Sequence, residues 1–392
     1  MKLLIYVQSF APNIGGVETV VMSLAQGFAR SGLEQGGNAV DVTLVTATPA
    51  GEMDDRALPF RVVRQPDLLT LLRLIRAADV IHLAGPCFLP MLLALLLRKP
   101  IAVEHHGFQV ICPNGQLFYE PAQMPCPGHF MAGRHRQCLR CNVKSGILAS
   151  CKMWLLTFAR RWLTQYVAGN ITPTQWLEAL LGLPRTTTVH HGVKNGARET
   201  PDRTPGALPT FVFNGRLVAT KGAHVLLQAA EQLKTKGLAF RLKLIGDGPE
   251  RRRLEAEAEA LEMTDRVTFL GYVPPGALEQ TLAEATAIVM PSLGGEVFGL
   301  VAAENMMRGH MMIVSDIGAL AEVVGDAGLR FPTGDEESLA GCLEQALESP
   351  GLVNTRKELA RKRAIKLFSE RRMIEEHLAV YRRLLVRGGP AC

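Results

Sequence analysis

The stretch AIVMPSLGGEVFGLVAAENMM, residues 287–307, decides the fold of the second half of this chain. The apolar run AIVM predicts a buried strand, the glycines predict a turn, and LVAAENMM predicts a helix. In open α/β sheets, ligands bind at the carboxyl ends of the strands, where helix N-termini present unpaired N–H groups to anions. We therefore expect a ligand site in this stretch.

Two carboxylates mark the site, Glu296 and Glu304. Carboxylates accept hydrogen bonds from sugar or ribose hydroxyls, and the amides around Gly299 and Leu300 can receive phosphate oxygens. The pattern predicts a phosphorylated, polyhydroxylated ligand. The alternative is a pair of solvated glutamates flanking a helix.

Outward from this stretch, short strand-like runs alternate with helical ones along both halves of the chain, which predicts two doubly wound α/β domains with parallel sheets. The expected divisions are an N-terminal Rossmann-like domain over 1–195 with a Cys-rich insertion at about 107–144, a linker over 196–209, a C-terminal Rossmann-like domain over 210–372, and a helix over 373–392 that packs back on the N-terminal domain.

The 392 residues and 47% apolar content are enough for two cores. No apolar run reaches the roughly 20 residues that span a bilayer, and MKLLIYVQSFAP is typical of a first strand rather than a signal peptide. We expect a cytoplasmic protein. The net charge of +6 favours anionic small molecules or an anionic membrane surface, and no nucleic-acid pattern is present.

Further candidates follow other predicted strands. Gly16 in PNIGGVE allows close backbone approach to a ligand, although a simple tight turn is the alternative. Arg216 and Lys221 in FNGRLVATKG can neutralise a diphosphate leaving group. The run IAVEHH ends in His105 and His106, and alternation alone does not decide which of them faces a ligand.

Together these residues resemble the retaining, nucleotide-sugar-dependent glycosyltransferases of the GT-B fold, family four, also called glycosyl transferases group 1. The resemblance covers nearly the whole length. It rests on the motifs PNIGGVE, VEHHG, ITPTQWL, VHHGV, FNGRL with TKG, LIGDGPE, VTFLGYV, PSLGGEVFGLVAAENM and SDIGALAEVV.

The resemblance implies a hexosyltransferase that moves a sugar from a UDP- or GDP-sugar to a hydroxyl acceptor, in polysaccharide, glycolipid or glycoconjugate biosynthesis. It implies that Arg216 and Lys221 hold the donor diphosphate, that Glu304 binds the ribose, and that Glu296 contacts the donor sugar. Arg216, Lys221, Glu296 and His106, beside the transferred sugar, form the implied catalytic set. The implied donor site also includes Gly16, Ser292, Phe298, Gly299 and Leu300.

The sequence contains no Asp-x-Asp, so we expect catalysis without a metal or other cofactor. The chain departs from the family pattern at His191, where relatives usually have Asn, and at Asn305 and His310, where Ala and Pro are usual. Two alternatives therefore stay open. They are a hydrolysing sugar-nucleotide epimerase and a catalytically silent nucleotide-sugar-binding protein.

The insertion contains Cys112, Cys126, Cys138 and Cys141, the last two in CLRC. A tetrahedral zinc on four thiolates would hold together a long, Pro-rich loop, and reduced thiols without a metal are the alternative.

Downstream, KMWLLTFARRWLTQYV carries aromatic residues at helical spacing, Trp154, Phe158 and Trp162, mixed with basic residues. This pattern is more typical of a core face than of a membrane surface. If the face is exposed, it predicts peripheral contact with the inner face of a membrane that carries a lipid-linked acceptor.

Overall fold

A computed structural model of the chain describes residues 1–13, 15–34, 40–51, 53–142, 146–195 and 208–387. Residues 196–207 of the expected linker therefore lie outside the described residues.

In the described ranges, strands alternate with helices along both halves of the chain. The strands are β1 (Lys2–Val7), β2 (Asp41–Thr46), β3 (Arg61–Arg64), β4 (Val80–Ala84), β5 (Ile101–Glu104), β6 (Phe118–Tyr119), β7 (Met124–Pro125), β8 (Gly169–Thr172), β9 (Thr186–Thr188), β10 (Thr210–Asn214), β11 (Arg241–Ile245), β12 (Val267–Gly271), β13 (Ala287–Met290), β14 (Met312–Ser315) and β15 (Leu329–Phe331). The helices are α1 (Gly16–Glu34), α2 (Leu68–Ala77), α3 (Phe88–Leu96), α4 (His135–Cys141), α5 (Ile147–Leu163), α6 (Gln175–Leu181), α7 (Ala223–Thr235), α8 (Arg251–Ala260), α9 (Pro275–Ala283), α10 (Leu300–Arg308), α11 (Gly318–Val324), α12 (Glu336–Glu348), α13 (Pro350–Leu367) and α14 (Glu370–Arg387).

The chain divides into two compact units. The first comprises residues 1–117, 127–192 and 370–392, and the second comprises 118–126 and 193–369. The C-terminal helix α14 thus belongs to the first unit, where a Cβ atom added to Gly27 of α1 would meet the side chain of Ile374.

The first unit is built on a seven-stranded sheet in the order β3-β2-β1-β4-β5-β8-β9, with every pairing parallel. All residues of β4 and β5 are buried, as expected for central strands that are covered on both faces. The strand order reverses between β1 and β4, so the carboxyl ends of these strands and of β5 form the edge where ligands bind in such sheets.

The second unit is built on a six-stranded parallel sheet in the order β12-β11-β10-β13-β14-β15. Hydrophobic clusters cover both faces of this sheet. The order reverses between β10 and β13, and these neighbours precede the two loops that contain most of the expected donor residues. The two parallel sheets confirm the predicted α/β class.

The Cys-rich insertion does not fold as one piece. A short antiparallel hairpin, β6 and β7, belongs to the second unit, where Phe118 is fully buried in the core. The flanking parts of the insertion, including α4, belong to the first unit. Among the described residues, no helix combines the length and apolar character needed to cross a membrane.

Candidate active site

In the second unit, the loops that follow β10 and β13 are joined by an ion pair. The ammonium of Lys221 contacts Oε1 of Glu296, and the Ser292 hydroxyl donates to the same oxygen at 3.0 Å. The side chain of Glu296 is 8% exposed and that of Lys221 is 28% exposed. A nearly buried carboxylate is therefore held in place by a cation and a hydroxyl.

The backbones of the same loops are also bonded to each other. The amide of Leu293 donates to the carbonyl of Thr220 at 2.8 Å. Gly222 has φ +65°, and a Cβ atom at this position would lie 2.0 Å from the carbonyl oxygen of Pro291. Only glycine allows this approach, and the approach is what brings Lys221 to Glu296.

The second loop ends at the N-terminus of α10. Gly299, with φ +91°, precedes Leu300, the first helical residue, so the first amides of α10 have no partner within the helix. Phe298 is buried, and its ring packs edge-on against Phe368. The prediction that the amides around Gly299 and Leu300 bind an anion is compatible with this geometry.

Glu304 lies one turn into α10, and its Oε2 is 4.0 Å from the guanidinium of Arg308. Burial raises the pKa of this carboxyl, with Glu279 adding to the effect and Arg308 opposing it. Arg216, two residues after β10, is exposed and therefore able to meet an anionic ligand.

In the first unit, the two histidines after β5 differ. His105 is fully buried and its Nε2 lies 3.0 Å from the amide oxygen of Asn170. Burial lowers the pKa of His105 to about 4, so it is a neutral structural residue at pH 7. His106 instead faces Glu104, with 3.3 Å between Nε2 and Oε2. Gly16, the expected backbone contact, is exposed as the first residue of α1.

Sequence reasoning singled out His106 and His191 but did not find Glu104 or the grouping of histidines around it. The carboxylate at the end of β5 is fully buried, and the imidazoles of four histidines surround it, at 3.2 Å for His82, 3.3 Å for His106, 3.4 Å for His191 and 3.5 Å for His377. The charge in the otherwise apolar run IAVEHH was the available signal, because a buried charge requires partners.

The buried groups around Glu104 differ in the direction of their pKa shifts. Burial opposes ionisation of Glu104, but the positive charges of His106 and His377 outweigh it and hold the pKa of this carboxyl well below its ordinary value. Burial would lower the pKa of His377, but attraction to Glu104 raises it on balance. Burial lowers the pKa of His191 to about 3. The group therefore contains an ionised Glu104 carboxylate, a His377 with a raised pKa and a neutral His191.

The expected zinc ligands are distributed over both units, because Cys126 belongs to the second and the other three cysteines belong to the first. In the first unit, Asn114 accepts from the Cys112 thiol at 2.9 Å and donates to the sulfur of Cys141 at 3.3 Å. Across the described residues, the only group of three or more metal-ligating side chains with ligand atoms within 4.8 Å of one another is Glu104, His106 and His191. The zinc on the cysteines stays a prediction.

Helix α5 turns a large part of its apolar surface outward. Leu148 is 88% exposed and Trp162 is 60% exposed, with Leu155 and Phe158 also exposed. Trp154 is half-buried against Phe158. The expectation that the aromatic face lies in the core is therefore wrong for Trp162 and Phe158.

The sequence of residues 201–364 matches the family described as glycosyl transferases group 1. Similar proteins include the 2-deoxystreptamine glucosyltransferase of Streptomyces kanamyceticus, 26% identical over 51% of this chain and 56% of that protein. The glycogen synthase of Mycobacterium tuberculosis is 27% identical over 68% of this chain and 64% of that protein. The chain spans about half the length of the curated relatives it matches.

Solved structures match over nearly the whole chain. Sucrose-phosphate synthase from Thermosynechococcus elongatus has a TM-score of 0.73 at 21% identity, covering 98% of this chain and 99% of that one. Anabaena HepE in complex with UDP has a TM-score of 0.71 at 17% identity, covering 98% and 100%. These likenesses show the fold.

The two parallel sheets and these structural matches define the class as the GT-B fold, which confirms the fold expected from the sequence. Within that class, the family match over residues 201–364 and the similar proteins support a glycosyltransferase of group 1.

Proposed function

We propose that this protein transfers a sugar from a UDP- or GDP-sugar to a hydroxyl acceptor, with retention of configuration at the transferred carbon. The observation that carries the proposal is the contact between Lys221 and Glu296, with Ser292 on the same carboxylate oxygen. A cation and a fixed carboxylate lie side by side where the strand order of the sheet reverses. The cation can bind a diphosphate, and the carboxylate can accept hydrogen bonds from the sugar joined to it.

The positively charged residues and the carboxylate bind different parts of the donor. Lys221 and the exposed Arg216 offset the charge that grows on the diphosphate as the bond between the sugar carbon and the phosphate oxygen breaks. The amides at the start of α10 receive phosphate oxygens, and the Glu304 carboxylate accepts hydrogen bonds from the ribose.

The acceptor oxygen forms the new bond to the sugar carbon, and its proton goes to the leaving phosphate. His106 contacts the transferred sugar, as the family pattern implies. No metal is needed at the diphosphate, because Arg216, Lys221 and the helix terminus supply the positive charge.

The product class that fits this family is a polysaccharide, glycolipid or glycoconjugate. Support comes from the similar proteins, among them a glycogen synthase and a phosphatidyl-myo-inositol mannosyltransferase of Mycolicibacterium smegmatis, 32% identical over 36% of this chain and 37% of that protein. Two features remain part of this proposal. They are a structural zinc on Cys112, Cys126, Cys138 and Cys141, and reversible contact between α5 and an anionic membrane.

The test begins with a thermal-shift screen of the purified chain against UDP- and GDP-sugars. Donors that stabilise the protein are then assayed for released nucleoside diphosphate, with and without a hydroxyl acceptor. We expect release that depends on the acceptor and a product with the anomeric configuration of the donor. Equal release without acceptor would favour the epimerase alternative, and binding without any turnover would favour the silent one. Zinc below a tenth of an equivalent by elemental analysis would reject the cysteine metal site.

A further inference from the structure

The carboxylate of Glu104 is a fully buried charge in the first unit that the proposed transfer does not use. Its side chain is fully buried, at the end of the central strand β5. Removing a carboxylate from water costs several kcal/mol unless partners compensate for it. Its partners come from β4, from the segments after β5 and β9, and from α14.

The contacts around Glu104 are longer and less well aligned than ordinary hydrogen bonds. Among the described residues, several atoms of Glu104 and its histidine partners lack a hydrogen-bond partner at a standard angle. They include the two carboxylate oxygens of Glu104 and Nε2 of His82, His106 and His377. Nitrogen-to-oxygen separations of 3.2–3.5 Å are also longer than those of ordinary charge-assisted hydrogen bonds. Polar atoms that converge in this way point to a shared ligand between them.

His82 and His377 also contact other protein groups. Nδ1 of His82 lies 2.9 Å from the Tyr381 hydroxyl, and Nδ1 of His377 lies 2.8 Å from the carbonyl of Met373. Second contacts of this kind fix the orientation of an imidazole, as the outer partners of a metal site do. His82 and His377 thus support the carboxylate, whereas the ligand atoms of His106 and His191 form one compact group with it.

We propose that Glu104, His106 and His191 bind a divalent transition-metal ion, with Zn²⁺ as the best fit. The ligand atoms of the three residues all lie within 4.8 Å of one another. The two separations from Glu104 are 3.3 Å to Nε2 of His106 and 3.4 Å to Nδ1 of His191. Ligand atoms at zinc-bonding distance, about 2.0–2.1 Å, lie about 3.4 Å apart on a tetrahedron.

The donor set supports a transition metal over Mg²⁺ or Ca²⁺. Two imidazoles and one carboxylate are the ligands of many zinc sites and of non-haem iron sites, whereas Mg²⁺ and Ca²⁺ require oxygen ligands. The site lies wholly in the first unit, and the cations proposed for the donor diphosphate, Arg216 and Lys221, lie in the second. Metal binding here therefore does not use the cations proposed for the diphosphate, but it shares His106 with the proposed sugar contact.

The experiment titrates Co²⁺ into chelator-treated full-length protein and follows visible absorption. Cobalt bound by imidazole and carboxylate gives d–d bands alone, whereas cobalt on the cysteines adds a thiolate charge-transfer band in the near ultraviolet. Competition with Zn²⁺ then reports zinc affinity. None of these readouts requires catalysis, so failure of the transfer proposal leaves the result interpretable.

The informative variant is His191→Asn, and its matched control is the adjacent His190→Asn. His190 is held by the Pro173 carbonyl, 2.8 Å from its Nδ1, and it is not part of the three-residue group. We expect His191→Asn to weaken the thiolate-free Co²⁺ signal at least about tenfold and His190→Asn to leave it unchanged. Circular dichroism confirms that each variant is folded, and His106→Gln replaces His191→Asn if the latter is not. Equal affinities in variant and control, or no thiolate-free signal in the wild type, would overturn the proposal.

Discussion

Lys221 and Glu296 are 75 positions apart in the chain and form an ion pair between the loops that follow β10 and β13. Because β10 and β13 are parallel neighbours, their carboxyl ends meet, and the loops that leave them are held together. The pair places a cation beside a carboxylate whose other contact is the Ser292 hydroxyl.

Replacing Lys221 with Gln should lower sugar transfer at least about a hundredfold, because a positive group is lost where charge develops on the diphosphate. The change also leaves Glu296 with one partner fewer, at a cost of about 1–3 kcal/mol in the free energy of unfolding. Initial rates and chemical denaturation measure the two effects. The control is Lys236→Gln, which breaks the more exposed ion pair with Glu344. Equal losses in both variants would contradict a role for Lys221 in the site.

Replacing Gly222 with Ala should separate the two loops. The added Cβ would lie 2.0 Å from the Pro291 carbonyl oxygen, so the backbone has to move, and both stability and transfer should fall. Gly237→Ala is the matched control, since Gly237 has a similar φ of +74° and nothing within 4 Å of the added Cβ. It should cost only the backbone strain of about 1–2 kcal/mol. Thermal unfolding and initial rates of both variants compare these costs, and wild-type activity in Gly222→Ala would contradict the prediction.

Comparison of these loops with the Glu104 group shows which parts of the structure the sequence can predict. The alternation of strands and helices fixes the parallel sheets, and parallel sheets bring Lys221 and Glu296 to one edge although they are far apart in the chain. The Glu104 group draws side chains from four separate segments, and no local pattern encodes their convergence. The spacing of Trp154, Phe158 and Trp162 predicts an apolar helical face but not whether that face meets the core or solvent.

Replacing Glu304 with Gln should weaken binding of the nucleotide about ten- to hundredfold, because a charged acceptor forms the stronger hydrogen bonds to ribose hydroxyls. Burial raises the pKa of this carboxyl, so the ionised form is lost at a higher pH than for an ordinary glutamate as the solution is acidified. Donor affinity of the wild type should therefore decline through that raised pKa, and Glu304→Gln should remove this dependence. Calorimetric titration of UDP against pH tests both points. The exposed Glu262→Gln serves as control, and a variant that retains the wild-type pH profile would contradict the assignment.

His310 should make the protein less stable in acid. Burial, with Lys357 and Arg308 nearby, lowers the pKa of His310 to about 3. In the unfolded chain the pKa of His310 returns to about 6.5, so below that pH the unfolded chain binds a proton that the folded chain does not. The stability contributed by His310 is therefore complete above about pH 6.5, and it is lost as the pH falls towards the pKa of the folded state. The loss from this residue is about 2 kcal/mol at pH 5.

The variant His310→Leu keeps an apolar side chain in the same place without the titration. The slope of its unfolding free energy against pH, between about 4 and 6, should be smaller than that of the wild type by about 1.4 kcal/mol per pH unit. Urea denaturation at several pH values measures the slopes. Identical slopes for the two proteins would show that His310 is not responsible.

The exposed face of α5 should bind anionic membranes. Leu148, Leu155 and Trp162 are exposed at helical spacing, with the exposed Lys152 among them, and Tyr166 is exposed just after the helix. The neighbouring α4 adds the exposed Arg136 and Arg140, whereas Arg161 turns inward to the Leu181 carbonyl. An apolar face bordered by basic residues is typical of helices that lie in the headgroup region of a bilayer.

The double variant Leu148→Ser, Trp162→Ser should therefore sediment with anionic liposomes at least about tenfold less than the wild type, because insertion of each side chain contributes about 1.5–3 kcal/mol. Wild-type binding should weaken as salt is added, since the basic residues attract the lipid charge through a screened interaction. Leu359→Ser, which removes an exposed leucine from α13, is the control and should bind as the wild type does. Salt-insensitive or absent binding of the wild type would leave the exposed face of α5 without a role at membranes.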